Sequence, residues 1–259
     1  MRKTSTQRIP ASNAGGDYAL FLDFDGTLVD IVERPDAVAV DPALPGILLR
    51  LQERLGGALA VISGRPIAFL DPKLAPYQFD IAGLHGLEHR IAGRHYECDP
   101  EDHPQLRAMV ERLGDIVAPK PGLIVEDKGC SVALHWRQAP QEKEFALATA
   151  HAAAEALGSD YRLQHGKAVA EILPAAAGKG KVIERFLQES PYKGRRPIFV
   201  GDDLTDENGF KTVNAHDGLS VRIGSGETIA KVRLESPADL RHALSTWASE
   251  GSLPFDVDE

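Results

Sequence analysis

Residues 18–28 constrain this chain more than any other stretch, because a short apolar run ends abruptly in two carboxylates, a glycine and a hydroxyl (YALFLDFDGTL). An apolar run of about six residues that stops at a turn signal is typical of a buried parallel strand. The carboxyl end of such a strand is where open α/β sheets place their chemistry. Alternation puts Asp23 and Asp25 on one side of the strand. Two adjacent carboxylates repel each other, so they favour a shared proton or a cation, and Mg2+ suits them because it prefers oxygen ligands.

A solvated Asp-Gly turn would explain part of this string, since that dipeptide is common in turns. The whole string DFDGTL resembles the first motif of the haloacid dehalogenase-like phosphatases. The partner motifs occur in the same order as in that family, at Ser63, at Lys179 and in the acidic run Asp202–Glu207. The chain is therefore identified as a member of that superfamily.

Composition restricts the function classes. The length of 259 residues allows one large domain or two modest ones. The net charge of −9 argues against nonspecific nucleic-acid binding, which needs clustered cations. The cysteines Cys98 and Cys130 are too few for a disulfide scaffold and are not at zinc-ligand spacing. The basic start is followed by no signal-peptide core, and no apolar stretch approaches a membrane span. We expect a cytoplasmic monomer that binds neither nucleic acid nor membrane.

The pattern of elements predicts an α/β fold with a Rossmann-like parallel-sheet core and an inserted α+β domain. Strand–helix–strand patterns occur in residues 18–86 and resume in 178–259, and we assign both segments to the core. Residues 87–177 alternate paired strands with helices, which is typical of an antiparallel sheet with one covered face. Residues 1–17 are predicted to be a flexible segment.

Periodicity and capping signals place most elements within this frame. We predict core strands in the apolar run that begins at Tyr18 and ends at the carboxylates, and at 58–62, 79–84, 197–200 and 219–223. We predict core helices from Asp41 to Gly56, after Gly178 and from Ser236. In the insert we predict a hairpin at 89–97, helices at 104–113 and 140–157, a strand pair at 123–137 and a strand or hairpin at 161–173.

The resemblance implies a role for each core motif. Asp23 would be the nucleophile that forms an aspartyl-phosphate, and Asp25 the general acid and base. Ser63 and Lys179 would stabilise the charge that develops on the phosphoryl group. Each has a simpler explanation on its own: Ser63 could cap a helix, and a lysine between glycines could be a solvated helix start.

The same resemblance implies a Mg2+ site. Asp202 would complete the coordination together with the Asp23 carboxylate and the Asp25 backbone carbonyl, and Asp203 and Asp206 would orient these ligands. Taken alone, the acidic run could be a solvated loop.

Further strings resemble the trehalose-6-phosphate phosphatase family, in one collinear series between about residues 18 and 248. They are GLHG at 83–86, VEDKG at 125–129, LHWR at 134–137, GKAVAEI at 166–172 and GDDLTDE at 201–207. The insert would then be that family's cap domain. The family's sugar-recognising positions match Glu126, Lys128 and Glu171, although an exposed charged strand face would also explain these residues.

Several further residues are candidates for the same site. Arg65 could add positive charge at the phosphate or bind a local carboxylate. The resemblance also points to the cleft rim or the phosphate for His85, Glu88, His135, Arg137 and Lys167.

The sequence leaves several alternative functions open. A phosphatase for sucrose phosphate or a phosphoglycerate glycoside would share the core motifs, and a phosphomutase is disfavoured because nothing supplies a phosphodonor. A non-catalytic sugar-phosphate sensor would be expected to lack Asp23, Asp25 or the metal carboxylates. We expect a standalone phosphatase, because no synthase-like region precedes the motifs.

Overall fold

The structure is a computed structural model that describes residues 17–32, 38–166 and 168–255. The predictions for residues 1–16 and for Lys167 lie outside these ranges. The strands are β1 Tyr18–Asp23, β2 Leu59–Ile62, β3 Asp80–Gly83, β4 Glu88–Ile91, β5 Arg94–Glu97, β6 Ile124–Asp127, β7 Val132–His135, β8 Tyr161–Gly166, β9 Val169–Pro174, β10 Arg196–Gly201, β11 Leu219–Ile223 and β12 Val232–Leu234. The α-helices are α1 Leu44–Arg54, α2 Ile67–Leu74, α3 Pro104–Val117, α4 Lys143–Leu157, α5 Lys179–Phe186, α6 Glu207–Ala215 and α7 Pro237–Glu250.

The described residues divide into two units: those up to Tyr96 together with those from Gly178 onward form the first, and those between Glu97 and Ala177 form the second. In the first unit the described strands form a sheet of order β12-β11-β10-β1-β2-β3-β4-β5. Pairing is parallel from β12 through β3. The strand order reverses beside β1, which makes this position the topological switch point of the sheet. Open α/β sheets bind ligands at the carboxyl ends of the strands next to such a point.

Strand β1 is buried along its whole length because helices cover both faces of the sheet. Leu20 and Leu22 pack in one core with residues of α1 and α7. Ala19 and Phe21 face the opposite side, in a second core with residues of α5 and α6. The near-continuous apolar sequence of β1 follows from this burial.

The hairpin β4–β5 corrects the predicted start of the insert. β4 pairs antiparallel with β3, at Ile81 with Arg90 and Gly83 with Glu88, so the hairpin extends the first sheet. We predicted that the insert begins at residue 87, whereas the second unit begins at Glu97. The sequence of a hairpin does not reveal which sheet its edge will join.

The second unit contains an antiparallel sheet of order β6-β7-β9-β8. Alternate residues of β7 and β9, including Leu134 and Ile172, pack with α3 and α4 on one face. Cys98 and Cys130 form a disulfide in this unit. The sequence correctly excludes a scaffold of several bridges, but the spacing of the cysteines gave no reason to expect this single bridge.

Among the described strands and α-helices, α2, α6 and β12 were not predicted. Helix α2 contains Pro72, and α6 contains Gly209 and two asparagines, all poor helix formers. Tertiary packing outweighs these propensities, since Leu70 of α2 and Phe210 of α6 are fully buried. Within the described residues, none of the helices is both long and apolar enough to cross a membrane.

Candidate active site

Three neighbouring strands end in the polar residues that the motifs single out. Asp23 ends β1, Ser63 follows β2, and Asp202 follows β10. Because β1 lies between β2 and β10 in a parallel sheet, these three ends meet at one edge, with Asp23 in register with Ile62. The first turn of α5 adds Lys179.

The turn after β1 requires glycine at its centre. The backbone N–H of Gly26 donates to the carbonyl of Val29 at 2.8 Å, and the carbonyl of Phe24 accepts from Leu28 and Val29. Gly26 has a φ of +78°, and a Cβ there would overlap the Asp202 carboxylate. Glycine therefore lets the chain turn back and lets Asp202 approach it.

Lys179 lies between two carboxylates. Its Nζ donates to Asp23 Oδ1 at 2.6 Å and to Asp206 Oδ1 at 2.5 Å. Burial alone would lower the pKa of Lys179, but the Asp206 and Asp23 carboxylates outweigh it and raise the pKa above its ordinary value. The ammonium group is therefore held charged inside the site.

Asp206 anchors the acidic loop. It is fully buried, and its Oδ2 accepts from the backbone N–H groups of Asp202 and Asp203, both at 2.9 Å. The Asp203 side chain accepts from the N–H of Leu204 at 2.6 Å. Asp203 and Asp206 also form a capping box, in which the side chain of each accepts from the backbone N–H of the other. These bonds position the Asp202 backbone, and Asp206 holds Lys179 at the same time.

Carboxylate oxygens of Asp23, Asp202 and Asp206 lie within 4.8 Å of one another. The pKa of Asp23 is raised well above its ordinary value by burial and by repulsion from Asp206 and Asp202, although Lys179 opposes this. Burial and Asp206 also raise the pKa of Asp202, to about 6. A divalent cation would relieve this repulsion, and the all-oxygen donor set fits Mg2+.

Asp25 is held by Arg65. The guanidinium donates from Nε to Asp25 Oδ2 at 2.8 Å and from a terminal nitrogen to Oδ1 at 2.9 Å. Arg65 also lies over the Phe69 ring, 4.6 Å from its centroid. Of the two roles considered for Arg65, the structure shows the bond to a local carboxylate.

Ser63 is buried in the turn after β2. Its hydroxyl oxygen accepts from the Arg65 N–H at 3.0 Å, so the hydroxyl proton can be donated to another acceptor. The Ser63 carbonyl accepts from the His85 N–H at 3.1 Å. The His85 ring packs so closely over Gly64 that a Cβ there would overlap it. His85 thus supports the Ser63 turn, and Glu88 does so indirectly by accepting from the Ile67 N–H at 2.6 Å.

In the second unit, strand register places two predicted sugar-recognising residues in one row. Glu126 is opposite Ala133, which is opposite Glu171. Their side chains share the sheet face that α3 and α4 do not cover. Glu171 accepts from Ser131 Oγ at 2.7 Å, and Lys128 Nζ lies 3.4 Å from its other oxygen. Lys128 and Glu171 are therefore brought together by an ion pair.

The remaining candidates have less specific surroundings. His135 Nε2 lies 2.8 Å from Glu126 Oε2 on the same sheet face. Arg137 is exposed. Lys167 is outside the described part of the chain.

Thr27 is a site residue to which sequence reasoning gave no role. Its Oγ1 lies 3.2 Å from Asp23 Oδ2 and 3.3 Å from Asp202 Oδ1, so its proton can reach either carboxylate. Its place in the string DFDGTL was the available signal. No such signal existed for the pairing of Arg65 with Asp25, because the two are 40 positions apart.

Comparisons with known proteins agree with the motifs. The family model described as Trehalose-phosphatase matches residues 21–239. The chain is 47% identical over 217 residues to a protein of Sinorhizobium fredii named "Probable trehalose-phosphate phosphatase", covering 80% of this chain and 78% of that one. It is 44% identical over 225 residues to the trehalose-6-phosphate phosphatase of Escherichia coli, covering 86% and 84%.

Among solved structures, the fold is similar to a Bacteroides thetaiotaomicron phosphatase of the haloalkanoate (HAD) superfamily. The TM-score is 0.60, with 95% of this chain and 99% of the other covered. Because identity is only 16%, this likeness shows the fold alone. The predicted fold class, a haloacid dehalogenase-like core with an inserted α+β unit, is confirmed.

Proposed function

The chain belongs to the trehalose-phosphatase family and is an enzyme, and from that premise we propose that it hydrolyses trehalose 6-phosphate to trehalose and phosphate. The observation that carries the proposal is the arrangement around Lys179, which bonds both the Asp23 carboxylate and Asp206. A nucleophilic carboxylate beside a buried ammonium suits attack on a phosphate dianion, because the ammonium offsets their repulsion.

In the proposed first step, a carboxylate oxygen of Asp23 attacks phosphorus and the bond from phosphorus to the sugar oxygen breaks. Asp25 donates its proton to that oxygen, and trehalose leaves. In the second step, Asp25 takes a proton from water, whose oxygen attacks phosphorus and releases phosphate and the Asp23 carboxylate. Ser63 and Lys179 donate to the phosphoryl oxygens in both steps.

We propose Mg2+ as the cofactor, with Asp23, Asp202 and the Asp25 carbonyl as its ligands. When bound, it would neutralise charge on the phosphoryl group. The raised pKa values of Asp23 and Asp202 support this assignment, because burial and then repulsion between the carboxylates disfavour their charged forms, and a bound cation would offset both. Asp206 and Asp203 would hold the loop that presents Asp202.

For the second unit we propose the role of a cap domain in sugar recognition. Glu126 and Glu171 would accept hydrogen bonds from sugar hydroxyls, and Lys128 would donate to them. The register that puts both glutamates in one row, with the small Ala133 between them, supports this assignment. The proposed environment is the cytoplasm.

The test is phosphate release with Mg2+ from trehalose 6-phosphate, sucrose 6-phosphate, glucose 6-phosphate and a phosphoglycerate glycoside. We expect a strong preference for trehalose 6-phosphate, which Glu126→Ala and Glu171→Ala should weaken. Activity on another sugar would keep the aspartyl-phosphate chemistry and reject the sugar-binding roles. Inactivity on all four would favour a sugar-phosphate sensor.

A further inference from the structure

The disulfide between Cys98 and Cys130 joins two segments that are 32 residues apart, with their Cα atoms separated by 6.3 Å. Cys98 follows β5, and Cys130 lies in the turn between β6 and β7. Nothing in the proposed phosphoryl transfer uses either residue.

The turn at 127–131 packs on the segment at 98–103 and on α3. A Cβ on Gly129 would lie 3.2 Å from Pro100, and Arg107 forms an ion pair with Asp127 at the start of the turn. The disulfide adds a covalent tie to these contacts. The position of the turn therefore depends on the segment that follows β5.

The same turn carries Lys128, which we propose binds the sugar together with Glu171 of β9. The Lys128 N–H donates to the Ser131 carbonyl at 3.0 Å, and the Cys130 N–H donates to the Lys128 carbonyl at 3.1 Å. Ser131 and Lys128 both contact Glu171. Cys130 is thus next to Ser131 in sequence and hydrogen-bonded to Lys128, so a shift of its sulfur would move the groups that contact Glu171.

The surroundings of Cys98 favour thiol–disulfide exchange. His103 Nε2 lies 3.1 Å from Cys98 Sγ, and His103 Nδ1 lies 2.7 Å from the Tyr161 hydroxyl. A protonated imidazole beside a sulfur stabilises its thiolate, which is the form that attacks disulfides and leaves from them. Tyr161 holds the ring in this orientation. Cys98 and His103 are half-buried, whereas Cys130 is buried.

We propose that Cys98 and Cys130 form a reversible thiol–disulfide modification site, and that the disulfide keeps Lys128 in position to bind the sugar. The reaction partner is a dithiol: its two thiols become a disulfide, the bond between Cys98 and Cys130 breaks, and each cysteine gains one hydrogen. A disulfide such as oxidised glutathione reverses the reaction. The expected effect on sugar binding rests on the proposed function, whereas the thiol–disulfide exchange itself does not.

The experiment compares the oxidised and reduced protein, prepared with oxidised glutathione or dithiothreitol, for hydrolysis of trehalose 6-phosphate. Reduction removes the covalent tie, so Lys128 is less ordered in the free enzyme and must be ordered when the sugar binds. This ordering costs free energy, so reduction should raise KM by about three- to tenfold. Hydrolysis of 4-nitrophenyl phosphate, which lacks the sugar, should not change. Cys98→Ser and Cys130→Ser should both behave like the reduced protein, and oxidised glutathione should not restore the KM of the oxidised wild type in either, because neither can form the internal disulfide.

A second measurement is independent of the substrate. Hydrogen exchange of amides 128–131 should be faster in the reduced protein and in Cys98→Ser. His103→Gln should slow re-formation of the disulfide, which peptide mapping of the Cys98–Cys130 cross-link follows. If the enzyme hydrolyses 4-nitrophenyl phosphate but no trehalose 6-phosphate, the proposed substrate is wrong. Amide hydrogen exchange and mapping of the cross-link then decide the redox proposal. Failure to form the cross-link, or identical amide exchange in both states, would overturn the proposal.

Discussion

Arg65 holds both carboxylate oxygens of Asp25 through a two-point contact, at 2.8 and 2.9 Å. Paired N–H donors on a planar guanidinium set the orientation of a carboxylate as well as its charge environment. Lysine cannot reproduce this geometry, because its ammonium is a point charge. Arg65 thus controls where the proposed general acid points.

We predict that Arg65→Lys lowers kcat by about ten- to a hundredfold, because misorientation should lose part of the roughly hundred- to ten-thousandfold that a positioned acid or base contributes. Arg65→Gln should lose at least as much. Phe69→Leu removes the ring beneath the guanidinium but leaves the paired bond, so it should stay near the wild-type rate. Steady-state kinetics on trehalose 6-phosphate measures all three, and wild-type kcat in Arg65→Lys would show that orientation by Arg65 is unnecessary.

Substituting either of the two proposed catalytic carboxylates by asparagine should give a different kinetic signature. Asp23→Asn should reduce turnover by more than about a thousandfold, because the amide is not a nucleophile. Asp25→Asn keeps the nucleophile, so an aryl phosphate with a good leaving group should give a burst of about one equivalent of nitrophenol, followed by slow turnover. A burst in Asp23→Asn would assign the nucleophile elsewhere. Calorimetric binding of the substrate and circular dichroism serve as controls for folding of both variants.

Replacement of Lys179 should destabilise the fold. Lys179→Met leaves Asp23 and Asp206 without their shared cation, so the free energy of unfolding without metal should fall by about 3 kcal/mol. Added Mg2+ should stabilise this variant more than the wild type, because the metal then relieves a larger repulsion. Urea denaturation measures both effects. Lys181→Met is the matched control: its ion pair with Glu184 is exposed, so the change should stay within about 0.5 kcal/mol.

Removal of the metal should silence the enzyme. In chelator, phosphate release should fall below about 1% of the rate with Mg2+, since charge stabilisation carries much of phosphoryl transfer. Ca2+ should restore activity poorly because its larger, more flexible coordination disturbs the in-line geometry. Mg2+ should also raise the unfolding temperature of the wild type, and it should do so much less in Asp202→Asn. Full activity in chelator would reject the metal assignment.

His89 makes stability depend on pH. Burial, followed by repulsion from Arg185, lowers the pKa of His89 to about 4, although Glu189 opposes this. The ring also stacks on Tyr96, with 4.7 Å between centroids. The unfolded chain, with an ordinary pKa of 6.5, binds a proton more readily than the folded one. Stability contributed by neutral His89 is therefore fully present above about pH 6.5 and is lost as the pH falls towards 4.

This loss should amount to at most about 3 kcal/mol. Urea denaturation between pH 4 and pH 7 should show a shallower dependence in His89→Phe, which keeps an aromatic ring against Tyr96. His95→Gln changes an exposed histidine of the same hairpin and should leave the wild-type slope unchanged. An unchanged slope in His89→Phe would assign the pH dependence to other groups.

Local pattern was sufficient for most of the fold. The strand β11 has the predicted bounds, and β1, β2, β10 and α7 were placed to within a few residues, because burial between helical layers leaves apolar runs and helix ends leave capping signals. The polar residues at the ends of β1, β2 and β10 were also predictable as neighbours, since parallel strands bring their carboxyl ends to one edge.

Only the tertiary structure decided which side chains meet. Arg65 was ambiguous in sequence and is paired with Asp25, Thr27 lies between two carboxylates, and Cys98 lies beside Cys130 and His103. The hairpin β4–β5 was predicted as an element but joined the first sheet. Periodicity and capping reflect how each segment relates to solvent and to its own backbone, so a sequence records them locally. The pairing of distant side chains depends on the register and packing of whole elements, so no local pattern contains it.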